Sequence, residues 1–314
     1  MKKILFVVMI TLSFAMQAQT TLDLSFVENP VEVSIKEGKV LGTLCLPNQK
    51  KNSPVALIIA GSGPTDRDGN NPMMKNNSLK LLAQELAKNG IASVRYDKRG
   101  VAGSSTIVTK EEDLRFEDFI SDAQHWVEFL KKDKRFSQVV VIGHSEGSLI
   151  GMNLSNIDKF VSLAGAGQSA DLTLKEQLDS QPQMVKDMCF PIIDKLKKGE
   201  LVEDVNPMLN SVFRKSVQPY MISWFKHNPQ EDIKKLNIPV LIVQGATDIQ
   251  VSVKDADLLS NSSKNSKKII IEGMNHIFKM VALDKQENVA TYNNPDLPVS
   301  TELVKTMTEF ISKK

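Results

Sequence analysis

Short, almost wholly apolar runs alternate with amphipathic stretches along most of this chain. Val55-Ala56-Leu57-Ile58-Ile59-Ala60 follows Pro54 and reads as a strand covered on both faces. A helix is expected from Ser78, with Leu79, Leu82, Ala83 and Leu86 on one side and Gly90 as its stop. Ile91 to Tyr96 supplies a strand, and Phe116 to Lys131 a helix carrying Phe119, Ala123, Trp126, Val127 and Leu130. Further strands are expected at 138–142, 160–164, 238–243 and 268–271, with a last helix over 300–311. Ahead of them, Val31 to Ile35 and Lys39 to Leu46 flank the Glu37-Gly38 turn as two antiparallel edge strands. Such alternation predicts a mostly parallel sheet with helices on both faces.

Two regions break the rhythm. Lys2-Lys3 precedes the apolar run Ile4 to Ile10, and small or polar residues follow from Ala15 to Gln19, the pattern of a secretory signal peptide over 1–18 cleaved after Ala18. The run is too short for a comfortable transmembrane span, so the mature chain is expected to be periplasmic or extracellular, with no stable membrane span. From 168 to 235 the pattern turns to charged amphipathic helices, read as an inserted helical cap between core segments 19–167 and 236–314. Met184, Met188, Met208, Met221, Phe213, Trp224 and Phe225 either pack this cap or line an apolar acyl site. Asn261 to Ser266 reads as an exposed connection.

With 39 Lys plus Arg against 37 Asp plus Glu and no dense basic tract, nucleic acid is not an expected partner. Cys45 and Cys189 allow at most one disulfide, and no Cys or His spacing suits a metal.

The chemistry concentrates in Gly143-His144-Ser145-Glu146-Gly147, which joins an apolar strand to a helix. Small residues on both sides of Ser145 permit the sharp turn of a nucleophile elbow. A serine hydroxyl is a weak nucleophile at neutral pH and needs a base, itself oriented by an acid. Asp248 follows the 238–243 strand and His276 follows the 268–271 strand, so both loops should emerge at the carboxyl edge that carries Ser145. Asp255 and Asp257 are alternative acids, but they fall in the apparent next helix. The backbone N–H groups of Ser62, in Ala60-Gly61-Ser62-Gly63-Pro64, and of Glu146 are the expected oxyanion donors. Asp66, Arg67, Asp68, Asp97 and Arg99 are expected to form a polar network bracing that loop, with the Glu146 side chain touching the 66–68 segment. His125 and His227 lie in helical settings, and His144 is poorly aimed to act as base.

Gly61-Ser62-Gly63-Pro64-Thr65-Asp66-Arg67-Asp68, Asp97-Lys98-Arg99-Gly100, the Ser145 pentapeptide and Asn275-His276 together resemble the α/β-hydrolase superfamily. The closer similarity is to secreted bacterial carboxylesterases of the serine aminopeptidase-like or dienelactone-hydrolase-like type, from about Leu41 to the carboxyl terminus. The resemblance implies an α/β-hydrolase fold with Ser145 as nucleophile, His276 as base and Asp248 as acid, matching the order read from the strands. Ala60 stands where many lipases have His, so a His-Gly-Gly-Gly loop is absent. The expected activity is hydrolysis of small to medium acyl esters without metal or organic cofactor. Peptidase, thioesterase or acyltransferase chemistry on the same triad, and a noncatalytic binding role, are the alternatives.

Overall fold

The computed structural model describes residues 25–48, 52–108, 110–282 and 284–313; the signal-peptide expectation lies outside them. Two antiparallel strands lead the chain, β1 (Phe26–Ile35) and β2 (Gly38–Pro47), each longer than the apolar pattern predicts. β1 alternates only from Val31 to Ile35; Val27, Glu28, Asn29 and Pro30 are all exposed, so no apolar period marks its first half. β3 (Ser53–Ile59), α1 (Ser78–Lys88), β4 (Ala92–Tyr96), α2 (Phe116–Lys132), β5 (Phe136–His144), α3 (Glu146–Met152) and β6 (Lys159–Leu163) follow. The inserted helices are α4 (Ala170–Leu178), α5 (Gln183–Lys197), α6 (Asn210–Phe213), α7 (Gln218–Trp224) and α8 (Pro229–Ile233). The sheet resumes with β7 (Val240–Gly245), α9 (Val253–Ser262) and β8 (Ser266–Ile271), and the chain closes with α10 (Lys285–Ala290) and α11 (Thr301–Ser312). The 261–266 connection is therefore shorter than expected, because Asn261 and Ser262 complete the last turn of α9.

The eight strands form one sheet in the order β1-β2-β4-β3-β5-β6-β7-β8. β1–β2 and β2–β4 pair antiparallel, and the remaining pairs are parallel. Strand periodicity divides the core in two. Val55, Leu57, Ile59, Val139 and Val141 face α2, whose Phe116, Ala123, Trp126 and Leu130 are fully buried. Ala56, Ile58, Val140 and Ile142 face α1 and α11, against Leu82, Leu86, Leu303 and Met307. Burial on both faces explains why the central strands carry uninterrupted apolar runs.

The helical insertion joins the first of these layers. Phe213, Met221, Phe225, Ile193 and Leu196 belong to the α2-side cluster, and Phe116 stacks on Trp224 with centroids 6.2 Å apart. Met184 and Met208 are instead exposed and contribute to no core. Cys45 and Cys189 are both buried and free.

Candidate active site

Ser145 sits between β5 and α3 at φ 53°, ψ −119°, a combination few L-residues adopt. The surroundings enforce it. A Cβ on Gly143 would lie 2.2 Å from the Gly147 carbonyl oxygen, and one on Gly147 would lie 2.4 Å from that of Ile59. Both positions therefore admit only glycine while the turn keeps its shape. The Ser145 N–H donates to Leu163 O at 3.0 Å, which ties the turn to the end of β6.

His276 and Asp248 meet directly: His276 Nδ1 lies 2.8 Å from Asp248 Oδ2. The carboxylate has further donors, with Gln244 Nε2 at 2.9 Å on Oδ2 and the Gln250 and Val251 N–H groups at 2.8 and 3.0 Å on Oδ1. Burial alone would raise the Asp248 carboxyl pKa. The adjacent His276 and the two backbone N–H groups outweigh it and hold the carboxyl below its usual range. The alternative acids serve elsewhere. Asp255 caps α9 through Ser252 and accepts the Gly167 N–H at 2.9 Å, and Asp257 pairs with Lys268.

Because β8 lies three strands from β5, a residue at its end starts roughly 14 Å from the elbow. The 272–278 loop closes that gap by folding back over β7. Gly245 makes the crossing possible, since a Cβ there would lie 1.9 Å from Met274 O. The Thr247 N–H donates to the same carbonyl at 3.1 Å. Asn275 braces the loop from within: its Oδ1 accepts the Ile277 and Lys279 N–H groups, and its Nδ2 donates to Asn288 and Thr291. His144 Nε2 reaches His276 O at 3.0 Å. Burial, then the charge of His276, depress the His144 pKa to about 3, so this ring is neutral and holds backbone.

The charged loops divide into separate groups. Asp66 Oδ1 accepts the Asp68 and Asn70 N–H groups, and Asp68 pairs with Arg95 at 2.8 Å. Asp97 takes the Arg67 N–H at 2.8 Å and Arg67 Nη2 at 2.5 Å, anchoring the 61–68 loop to the end of β4. Arg99 stands apart from these residues, contrary to expectation. Its guanidinium forks onto Asp122 of α2 at 2.7 and 2.5 Å. The Glu146 side chain likewise misses the 66–68 segment. It turns inward, where Oε1 accepts Lys98 Nζ at 2.9 Å and Oε2 accepts Tyr220 Oη at 2.7 Å. Lys98 Nζ also donates to Gly61 O at 2.6 Å. Nothing in the sequence assigns Lys98 or Tyr220 a role; the only local signal is a lysine two residues beyond β4.

Two cavities open at Ser145. One, of about 100 Å³, is walled by Leu149, Ala170, Leu174, Trp224 and Val251 together with Ser62 and Glu146. The other, of about 150 Å³, is bounded by His276, Thr65, Asn71, Asn76, Gln250 and Tyr292. Of the insertion residues expected to line an apolar site, Trp224 alone does so in these two cavities.

The profile of a family described as serine aminopeptidase, S33, matches residues 75–196. Esterase EstD of Thermotoga maritima is 26% identical over 271 residues, which cover 81% of this chain and 60% of that protein. The chain thus spans about 60% of the length of this curated relative. Among solved structures, Est1E from Butyrivibrio proteoclasticus, bound to ferulic acid, is similar at TM-score 0.60 and 20% identity over 90% of this chain and 100% of that one. An esterase from Pyrococcus furiosus is similar at TM-score 0.57 and 15% identity, over 92% of each chain. The sheet order, the helical insertion and the elbow at Ser145 make the architecture an α/β-hydrolase fold.

Proposed function

We propose that the protein is a serine carboxylesterase acting on small to medium acyl esters through an acyl-enzyme, with Ser145, His276 and Asp248 as its triad. The observation that carries this reading is the His276–Asp248 contact of 2.8 Å, on loops that bring His276 to the cavity Ser145 faces. Asp248, held ionised, accepts a hydrogen bond from the His276 Nδ1–H, which keeps the proton there and leaves Nε2 as the base. His276 takes the Ser145 hydroxyl proton as Oγ bonds to the ester carbon. The carbonyl oxygen becomes an oxyanion, received by the Ser62 and Glu146 N–H groups. Collapse breaks the bond to the alcohol, which leaves with the proton held by His276. Water then repeats the sequence on the acyl-enzyme, releasing the acid and restoring Ser145.

Substrate class follows from the walls. The cavity of about 100 Å³ under the insertion sets Leu149, Ala170, Leu174, Trp224 and Val251 among polar residues such as Thr173 and Gln177, and this mixed lining suits a short to medium acyl chain. Among the described residues Glu146 is the only acidic one lining either cavity, and its carboxylate is already engaged by Lys98 and Tyr220. An aminopeptidase needs a free carboxylate for the substrate ammonium, so this lining favours esters. Purified protein assayed with nitrophenyl esters of increasing chain length should hydrolyse the short members fastest, and Ser145→Ala should abolish turnover. Folded protein inert towards the whole series would refute the esterase reading.

A further inference from the structure

We propose that Lys98 is a positioning residue of the oxyanion hole, held by Glu146 and coupled through Tyr220 to the helical insertion. The inference rests on the ester-hydrolase reading above. Gly61 C=O and Ser62 N–H belong to one peptide unit. In a trans peptide these two groups point in opposite directions, and all peptide bonds among the described residues are trans. An ammonium fixed on the carbonyl therefore fixes where the N–H points. Lys98 Nζ is fixed there at 2.6 Å, the short separation of a charge-assisted bond. Among the described residues the Ser62 N–H donates to no acceptor, although Ser62 lines both cavities at Ser145. Ser145 is near as well: a Cβ on Gly61 would lie 3.2 Å from Ser145 Cβ. A cation on the carbonyl also polarises the unit and makes its N–H a stronger donor.

Lys98 and Glu146 side chains are each only 2% exposed. A buried ion pair is weak evidence of stabilisation, because removing both charges from water costs about as much as their attraction returns. Its value here is geometric. Glu146 contributes its backbone N–H as the second oxyanion donor while its carboxylate holds the cation that aims the first. Oε2 is bound by Tyr220 of α7, and burial, reinforced by the Glu146 charge, keeps that phenol protonated and donating. The Tyr220 ring meets Phe119 edge-on at 5.6 Å, and Lys98 Nζ lies 5.0 Å from the Phe119 centroid. A continuous set of contacts thus runs from the insertion to the peptide beside Ser145.

The test compares wild type, Tyr220→Phe and the charge-balanced pair Lys98→Met with Glu146→Gln, which leaves no unpartnered buried charge. Each is measured for kcat and KM on nitrophenyl acetate and for affinity towards a trifluoromethyl ketone, which forms a tetrahedral adduct. Loss of one aimed donor predicts a kcat lower by about 10- to 100-fold in the double variant, with KM within about three-fold. Ketone affinity should fall by the same factor as kcat/KM, a proportionality that general loosening of the fold would not produce. Tyr220→Phe removes one hydroxyl and decides the question even if the double variant fails to fold: kcat at least about three-fold lower, KM unchanged and ketone binding weakened supports the proposal. Wild-type kcat and ketone affinity in folded Tyr220→Phe, or in the folded double variant, would overturn it while leaving the esterase reading intact. An inactive wild type would remove the esterase reading and this inference with it.

Discussion

His144 Nε2 holds the carbonyl oxygen of His276 at 3.0 Å, so one histidine beside the elbow fixes the backbone of another. The two rings lie 4.8 Å apart. Burial depresses His144 to about 3, and it stays uncharged at any pH above that. His144 should therefore add no protonation step to the acid limb of log kcat/KM, whose slope should stay at one. A pH–rate profile measured down to about pH 4.5 checks this, and a slope of two would show that His144 titrates alongside.

Asp248 and Asp255 are separable by kinetics. Asp248→Asn replaces the carboxylate by an amide that can donate to His276 Nδ1 and set the wrong tautomer, and kcat should drop about 10³- to 10⁴-fold with little change in KM. Asp255→Asn weakens the α9 cap, and should cost about 1 kcal/mol of stability while kcat stays close to wild type. Steady-state kinetics and urea denaturation of both variants give the comparison.

Gly245→Ala tests how the base reaches the nucleophile. The new Cβ would displace Met274 O and with it the loop carrying His276. Overpacking of this kind costs about 1–3 kcal/mol, and activity should fall much further than stability because the base is misplaced. Activity assays beside thermal melts read the two effects separately.

Asp232 supplies a pH-dependent tie between the insertion and α3, accepting Lys235 Nζ at 2.7 Å and Asn153 Nδ2 at 3.2 Å. Burial would raise its carboxyl pKa. Bonds from His227, Lys235 and Asn153 outweigh that and bring it from 3.8 to about 2. With the folded pKa below the unfolded one, the tie contributes about 2 kcal/mol above pH 4, and this is lost as pH falls towards 2. Asp232→Asn should be destabilised at pH 7, with about half of the difference gone by pH 3. Urea titrations at the two pH values measure it.

Much of this site is legible along the chain because strand ends are legible. Ser145, Asp248 and His276 each follow an apolar run, and parallel pairing delivers all three runs to one edge. Lys98 and Tyr220 escape such reading. They meet Glu146 across 48 and 74 residues, Lys98 from the end of β4 and Tyr220 from the insertion, and no periodicity marks either contact. Arg99 shows a related limit. Asp97, Lys98 and Arg99 are consecutive beyond β4, and the turn there sends them to Arg67, Glu146 and Asp122 respectively. Charge density alone grouped Arg99 with the 66–68 loop. Composition was least informative within the insertion, where Met184 and Met208 face outward and Met221 lies in the core.

In the proposed mechanism Ser145 is a nucleophile activated by His276. Mass spectrometry after treatment with a nitrophenyl alkylphosphonate reports attack by an activated serine. One phosphonyl group per chain should be found on Ser145, with stoichiometric release of nitrophenol and loss of labelling in His276→Ala. An unmodified Ser145 in folded protein, or equal labelling in His276→Ala, would contradict it.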